Sequence, residues 1–360
     1  MTSLFDPVKI GAVTARNRIL MAPLTRARAT RDHVPTPIMA DYYRQRASAG
    51  LIISEGIGVS QQGLGWPYAA GIWSAEQVAA WKPVTQAVHD AGGRIFAQLW
   101  HMGRLVHSSV TGEQPISSSP ITAPGHAHTY EGNKPYEQPR ALAAEETPAL
   151  IATYATAARN AREAGFDGVQ IHAANGYLID EFLRNGVNQR QDAYGGSPEN
   201  RVRLLREITQ AVADAIGADR TAVRLSLNGA SQGTDDSDPA SLSAAVAQAL
   251  EPIGLAFVEM REQRPDGTRG ASDVPRQSPI VRRYFSGPLV LNSDYDVARA
   301  QEDLASGLAQ AISFGRPFIS NPDLPDRFSV GAPLNPLSEG TLYTQGAEGY
   351  VDYPVLAKAG

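Results

Sequence analysis

Apolar positions recur in two alternating registers along the chain. Stretches with apolar residues three and four apart predict helices at about 36–49, 74–91, 146–164, 198–216, 239–252, 277–285 and 295–307. Each gives way, through a small residue or a glycine, to a short run of Val, Ile, Leu and Phe. The clearest handovers are Gly50 into Leu51–Glu55, Gly93 into Arg94–Leu99, and Gly165 into Phe166–His172. Looser ones at Gly217, Gly254, Gly287 and Gly307 precede Thr221–Ser226, Ala256–Met260, Pro288–Leu291 and Ala311–Phe314. Glycine suits the left-handed residue that closes a helix before the chain turns into a strand. With Ile19–Met21 opening the series, eight strands alternate with helices. Alternation of this kind requires parallel strands and right-handed crossovers. Eight units predict an α/β fold, a (β/α)8 TIM barrel, for which roughly 250 residues suffice. An open doubly wound sheet that bound a dinucleotide would show Gly-x-Gly-x-x-Gly after its first strand. Gly56-Ile57-Gly58 and Gly63-Leu64-Gly65 lack the third glycine.

The main excursion, residues 103–144 after the third strand, is rich in Pro, Gly, Ser and Thr, as in Ser117–Pro120 and Ala123-Pro124-Gly125. Loops of this length in a compact domain are as a rule functional or disordered, and this one predicts a cap over the barrel mouth. Beyond Asp323 the pattern supports two weak helical turns at most, so residues 1–360 are expected to form one domain.

Composition narrows the function. Hydrophobic residues at 42% and charged residues at 19% are those of a globular chain. A net charge of −5 with no basic run leaves a nucleic-acid reader without its electrostatic footprint. Cysteine is absent, which excludes disulfides, thiolate ligands and a cysteine nucleophile. No signal-peptide pattern opens the chain and no apolar stretch approaches the ~18 residues of a membrane span, so a cytoplasmic protein is expected.

Barrel enzymes place their chemistry at the carboxyl ends of the strands. Here those ends read Ala22-Pro23-Leu24-Thr25, Glu55-Gly56, Gln98-Leu99-Trp100-His101, His172 to Asn175 with Tyr177, Arg224 with Ser226, Glu259, Asn292-Ser293-Asp294, and Gly315-Arg316. Amide, imidazole, hydroxyl and guanidinium groups dominate, as a large planar polar ligand would require. The four lysines, Lys9, Lys82, Lys134 and Lys358, fall in helices, loops or termini, which removes a Schiff-base aldolase. Facing carboxylates for a glycosidase are missing. A metal-dependent hydrolase has only His126 and His128 in its favour, deep in the excursion, where surface polarity explains them equally well. Gly315-Arg316 after the eighth strand, with Asn292-Ser293 after the seventh, falls where barrels build phosphate sites; a salt bridge at the rim would account for the same arginine. His172, Asn175 and Tyr177 share one turn: two neutral donors to polarise an oxygen, and a phenol able to give up a proton.

The chain resembles the Old Yellow Enzyme family of flavin-dependent ene-reductases, including bacterial 2-cyclohexenone and N-ethylmaleimide reductases. The likeness is carried by Asn17–Arg26, Gln98–Arg104, Gly165–Leu183, Tyr194–Arg201, Phe314–Pro325 and Gly349–Pro354. It implies an FMN-containing barrel that takes hydride from NADPH or NADH and passes it to an electron-poor alkene. By position, Ala22, Pro23, Leu24 and Thr25 would line the isoalloxazine, with Gly56 and Leu342 in contact and Gln98 on the pyrimidine edge. Arg224 would stabilise the charge of the reduced ring, and Asn292, Ser293, Gly315 and Arg316 would hold the phosphate. His172 and Asn175 would bind the substrate's activating oxygen and Tyr177 would protonate the α-carbon, in a pocket shaped by Trp66, Trp100 and Tyr343. The nicotinamide would use the same face in turn, as a monomer or homodimer with no resident metal.

Three positions depart from the family pattern. Leu227 stands where Pro is usual, Gln310 where Asp is usual, and Asn292-Ser293-Asp294 replaces a Gly-rich turn, as in the cyclohexenone-reductase branch. A non-catalytic flavin-binding redox protein is the remaining alternative, against which the intact His172, Asn175 and Tyr177 argue.

Overall fold

A computed structural model describes residues 2–268 and 270–357. The chain opens with an antiparallel hairpin, β1 (Val8–Ile10) and β2 (Val13–Ala15), followed by β3 (Ile19–Met21), α1 (Ile38–Gln45), β4 (Ile52–Gly58), α2 (Ala75–Asp90) and β5 (Ile95–Trp100). The excursion adds α3 (Ser108–Thr111), β6 (Ile116–Ser117), β7 (His126–Thr129), β8 (Gly132–Pro135) and β9 (Arg140–Ala141). Alternation resumes with α4 (Thr147–Glu163), β10 (Gly168–Ala173), α5 (Leu178–Leu183), α6 (Pro198–Arg201), α7 (Arg203–Ile216), β11 (Thr221–Leu225), α8 (Pro239–Leu250), β12 (Phe257–Arg261), α9 (Ser278–Tyr284), β13 (Leu289–Asn292), α10 (Val297–Ala305) and β14 (Ala311–Phe314). Two short helices follow, α11 (Arg316–Ser320) and α12 (Leu324–Val330).

Strands β3, β4, β5, β10, β11, β12, β13 and β14 close into a barrel in that order, every neighbour parallel. The expected (β/α)8 TIM barrel is therefore the fold. Three boundaries differ from the sequence pattern. The helix expected at 198–216 is two helices: Ser197 caps the first through Asn200 N, and Val202 turns before the second begins. β4 runs on to Gly58 because a bulge between Ile53 and Gly56 lets the strand continue past the apolar run. β12 extends one residue beyond Met260, to Arg261. Lys358 lies outside the described residues. None of the described helices is long and apolar enough to cross a membrane.

Side chains along a strand alternate between two faces, and this alternation builds the site. Facing outward, Val223, Leu225, Val258, Met260, Leu289 and Leu291 pack against Leu204, Ile208 and Val212 of α7 and the other helices. Facing inward, Leu20, Ile53, Phe96, Ala222, Phe257, Val290 and Ala311 fill the lower barrel, and Val8, Ile10 and Val13 of the hairpin close its base. Each fully buried aliphatic or aromatic side chain here contributes about 1.5–3 kcal/mol. Space is tight: a Cβ on Gly168 would stand 2.5 Å from the Phe96 ring. One inward step further along, the apolar layer gives way to Gln98, Gln170, Arg224, Glu259, Asn292 and Ser313, all buried. The barrel thus carries a polar floor directly on its apolar plug.

Candidate active site

Above that floor the strand ends open into a cavity of about 1150 Å³ lined by Ala22, Pro23, Leu24, Thr25, Trp66, Asn175, Tyr177, Arg224, Asn292, Ser293, Gly315, Arg316, Leu342 and Tyr343. A recess of about 110 Å³ adjoins it, walled by Gly56, Gln98, Trp100 and His172 and sharing Pro23, Thr25, Asn175, Tyr177 and Arg224. Every residue singled out for the site thus borders one connected space. Gly56 leaves room there for an aromatic: a Cβ would stand 2.6 Å from the Trp100 ring.

The turn leaving β10 gathers the proton-handling groups. The His172 and Tyr177 rings meet edge to face at 4.9 Å, and Trp100 meets Tyr177 at 5.0 Å. Asn175 takes a left-handed conformation (φ 62°), which turns the chain sharply enough to bring Tyr177 back beside His172. Ser226 Oγ accepts from Asn175 N at 2.8 Å and Asp180 Oδ2 accepts from Gly176 N at 2.8 Å, pinning the turn. Arg261 Nη1 donates to Asn175 Oδ1 at 3.0 Å, which leaves the carboxamide NH2 as the end available to a ligand. Burial, with Arg224 and Arg261 nearby, drives the His172 imidazole well below its usual range, so it is neutral. Burial pushes the Tyr177 phenol up, so it keeps its proton. The turn therefore presents neutral donors at ordinary pH.

The floor is one hydrogen-bonded chain. Gln98 donates to Gln170 at 2.9 Å, Gln170 to Glu259 at 2.6 Å, Arg224 to Asn292 Oδ1 at 2.9 Å, and Asn292 to the Ser313 carbonyl at 2.9 Å. Arg224 Nη1 stands 2.7 Å from Glu259 Oε1, an ion pair by distance, yet neither Nη1 nor Nε has an acceptor along its N–H.

At the far end, Ser293 (φ 103°) and Asp294 (φ 48°) hold left-handed backbone that glycine adopts without strain. This is the structural counterpart of the missing Gly-rich turn. Arg316 Nη2 donates to Asp294 Oδ1 at 2.7 Å, and to Thr268. The rim salt bridge that the sequence left open does form, on a residue that also faces the cavity.

Trp66 and Tyr343 meet at 5.1 Å over the cavity, and His128 of the excursion packs 4.5 Å from Trp66, so the β7–β8 hairpin buttresses the mouth. The segment carrying Leu342 and Tyr343 is gripped from below. Arg26 and Arg28 donate to the Leu342 carbonyl at 3.1 and 2.8 Å, and Arg28 donates also to the carbonyls of Thr341 and Glu348 and to Thr344 Oγ1.

Some strand-end candidates turn away from the cavity. Glu55 faces α1, where Tyr43 holds it, and His101 is buried against Gln62 at 2.9 Å. His126 and His128 share the exposed face of β7, and among the described residues no three His, Asp or Glu side chains gather as metal ligands. Arg261, Gln263, Ser231 and Gln232 line the cavity without having been singled out. Strict alternation from Phe257 through Glu259 would have pointed Arg261 inward, but the apolar run stops at Met260.

The residues fit a planar polar ring with an anionic tail. Buried Arg224 donors without an aligned acceptor face the floor of a space large enough for such a ring, and a cation stands beyond it at Arg316.

A model of the NADH:flavin oxidoreductase / NADH oxidase family matches residues 3–335. The solved old yellow enzyme homologue from Zymomonas mobilis is 62% identical, with a TM-score of 0.97 over 98% of this chain and 100% of that one. Morphinone reductase is 43% identical, with a TM-score of 0.94 over 99% and 96% of the two chains. Among curated sequences, 12-oxophytodienoate reductase 7 of Oryza sativa subsp. japonica is 42% identical, covering 99% of this chain and 95% of its own length. A chanoclavine-I aldehyde reductase of Penicillium roqueforti is also 42% identical, covering 99% and 98%.

Proposed function

Since the chain belongs to the NADH:flavin oxidoreductase / NADH oxidase family, that of Old Yellow Enzyme, and is an FMN-dependent ene-reductase, we propose that His172, Asn175 and Tyr177 are its catalytic groups. FMN, when bound, supplies the carrier that accepts hydride from NADPH or NADH and returns it to an activated alkene. The chain's own groups do the rest. Ala22, Pro23, Leu24, Thr25, Gly56, Gln98, Arg224 and Leu342 hold the ring, and Asn292, Ser293, Gly315 and Arg316 hold the ribityl phosphate. His172 and the Asn175 NH2 donate to the carbonyl or nitro oxygen of the alkene, drawing electrons from its β-carbon. Tyr177 Oη holds a proton beside the α-carbon and releases it as negative charge develops there. Trp66, Trp100 and Tyr343 exclude water and wall the substrate.

The observation that carries this reading is the convergence of a neutral imidazole, an oriented amide and a protonated phenol on one space above the polar floor. Relatives named for an oxophytodienoate, an aldehyde and morphinone support a carbonyl-bearing alkene as substrate. Residues 1–360 act as one cytoplasmic domain, a monomer or homodimer.

Replacing Tyr177 by Phe tests the assignment. With FMN content unchanged, reoxidation of the reduced enzyme by 2-cyclohexenone is expected to slow by roughly a hundredfold or more, while reduction by NADPH stays close to wild type. Unaltered reoxidation would remove Tyr177 from the mechanism.

A further inference from the structure

Glu259 is fully buried on β12, and no step above uses it. Its register partner on β11 is Arg224, whose Nη1 is 2.7 Å from Glu259 Oε1, an oxygen that also accepts from Ser313 Oγ. The other oxygen, Oε2, accepts from Gln170 Nε2 at 2.6 Å. A carboxylate only accepts. Gln170 must therefore turn its NH2 toward Glu259 and its carbonyl toward Gln98, which donates through Nε2 at 2.9 Å. Gln98 is left with its own carbonyl oxygen to offer the recess it lines. One carboxylate thus dictates an acceptor on one side of the floor and fixes a cation on the other. The pyrimidine half of an isoalloxazine, an N–H flanked by two carbonyls, calls for an acceptor beside donors.

We propose that Glu259 is the positioning residue that sets this donor–acceptor pattern and tempers the positive charge that Arg224 brings to the cofactor, so that it tunes the flavin's reduction potential. The inference rests on the assignment of Gln98 and Arg224 to FMN made above. On taking a hydride from NAD(P)H the ring receives two electrons and one proton and gains one negative charge. A cation beside it favours that form, and a carboxylate paired to the cation opposes the preference. Removing the carboxylate leaves Arg224 uncompensated in a site closed to water, where charges act at their strongest. The midpoint potential must then rise.

The test is the midpoint potential of the FMN-loaded protein together with its FMN affinity. Glu259→Gln is expected to raise the potential by about 30 mV or more, a tenfold change in a two-electron equilibrium. Glu259→Asp, which keeps the charge, is expected to restore most of the difference. Gln170→Leu cuts the chain to Gln98 but spares the carboxylate, and is expected to weaken FMN binding at least threefold without moving the potential. Should Glu259→Gln not fold, the exchange Gln170→Glu with Glu259→Gln keeps one buried carboxylate and one amide while taking the charge off Arg224, and is expected to show the same upward shift. Wild-type potential in Glu259→Gln or in the exchange, with Arg224→Gln shifting it, overturns the proposal. Loss of FMN by both also overturns it, since Glu259 would then serve binding alone. If Arg224→Gln alters neither potential nor FMN affinity, the assignment of the floor to FMN fails instead.

Discussion

Tyr177 and His172 are set to opposite tasks by one cause, burial, which raises a phenol and lowers an imidazole. The phenol loses its proton only above its ordinary value near 10, and the imidazole gains one only below its ordinary value near 6.5. Neither group changes charge between those limits, so enone-driven reoxidation is expected to be flat from about pH 6.5 to 9. A stopped-flow pH profile with a bell in that interval would assign the proton to another group. Arg316 carries a second expectation at this scale. Its replacement by Ala is expected to weaken FMN binding about tenfold to a hundredfold, the measure of one charge-assisted hydrogen bond of about 1.5–3 kcal/mol. The loss also leaves the Asp294 carboxylate facing the phosphate. Adding Asp294→Asn to Arg316→Ala is therefore expected to recover part of the affinity, which a fluorescence titration with free FMN would read.

Elements with a strong repeating signal were legible: each barrel strand is an apolar run behind a glycine, and the barrel follows from eight of them. The β7–β8 hairpin was not, because its loop is Tyr130-Glu131 and lacks the Asn-Gly or Asp-Gly pair that marks a tight hairpin. The catalytic turn was legible because His172, Asn175 and Tyr177 are close in sequence. Arg261 and the pairing of Glu259 with Arg224 were hidden because they depend on neighbours about 35 to 90 residues away meeting across strands. The same contrast governs what a substitution does. Ser74 opens α2 with a reciprocal cap to Gln77, a local device, and Ser74→Ala is expected to cost about 1 kcal/mol of stability without touching turnover; unchanged thermal unfolding would refute this. Arg28 acts at long range. Arg28→Met is expected to open the 341–349 segment to limited proteolysis and to raise the KM for the alkene several-fold with little change in kcat.

For the whole molecule, buried ionisable groups set the pH range of stability. Burial raises Glu55 to about 7, against the pull of Arg26 and Tyr43, and Glu181 to about 8, against Arg104. Native carboxyls raised above 4.5 hold protons that the unfolded chain has released, so stability declines as pH climbs from about 4.5 to 8. Burial lowers His101 to about 3; below pH 6.5 the unfolded imidazole takes up a proton that the native one refuses, so stability falls toward acid. The melting temperature is expected to be highest between about pH 4.5 and 6.5 and to drop toward pH 8, and Glu181→Gln to flatten the alkaline side; a melting temperature that rises steadily to pH 8 would contradict both signs. The guanidinium grip on the carboxyl-terminal segment has a different consequence. Arg26, Arg28 and Arg46 take hold of main-chain oxygens of Thr341, Leu342, Gly346, Glu348, Gly349 and Tyr350, and of one side-chain hydroxyl. A peptide carbonyl is the same whatever residue bears it. Side chains facing the substrate can therefore be exchanged along this wall while its anchorage persists, and a lineage can change its diet of alkenes by point mutation without first rebuilding the barrel.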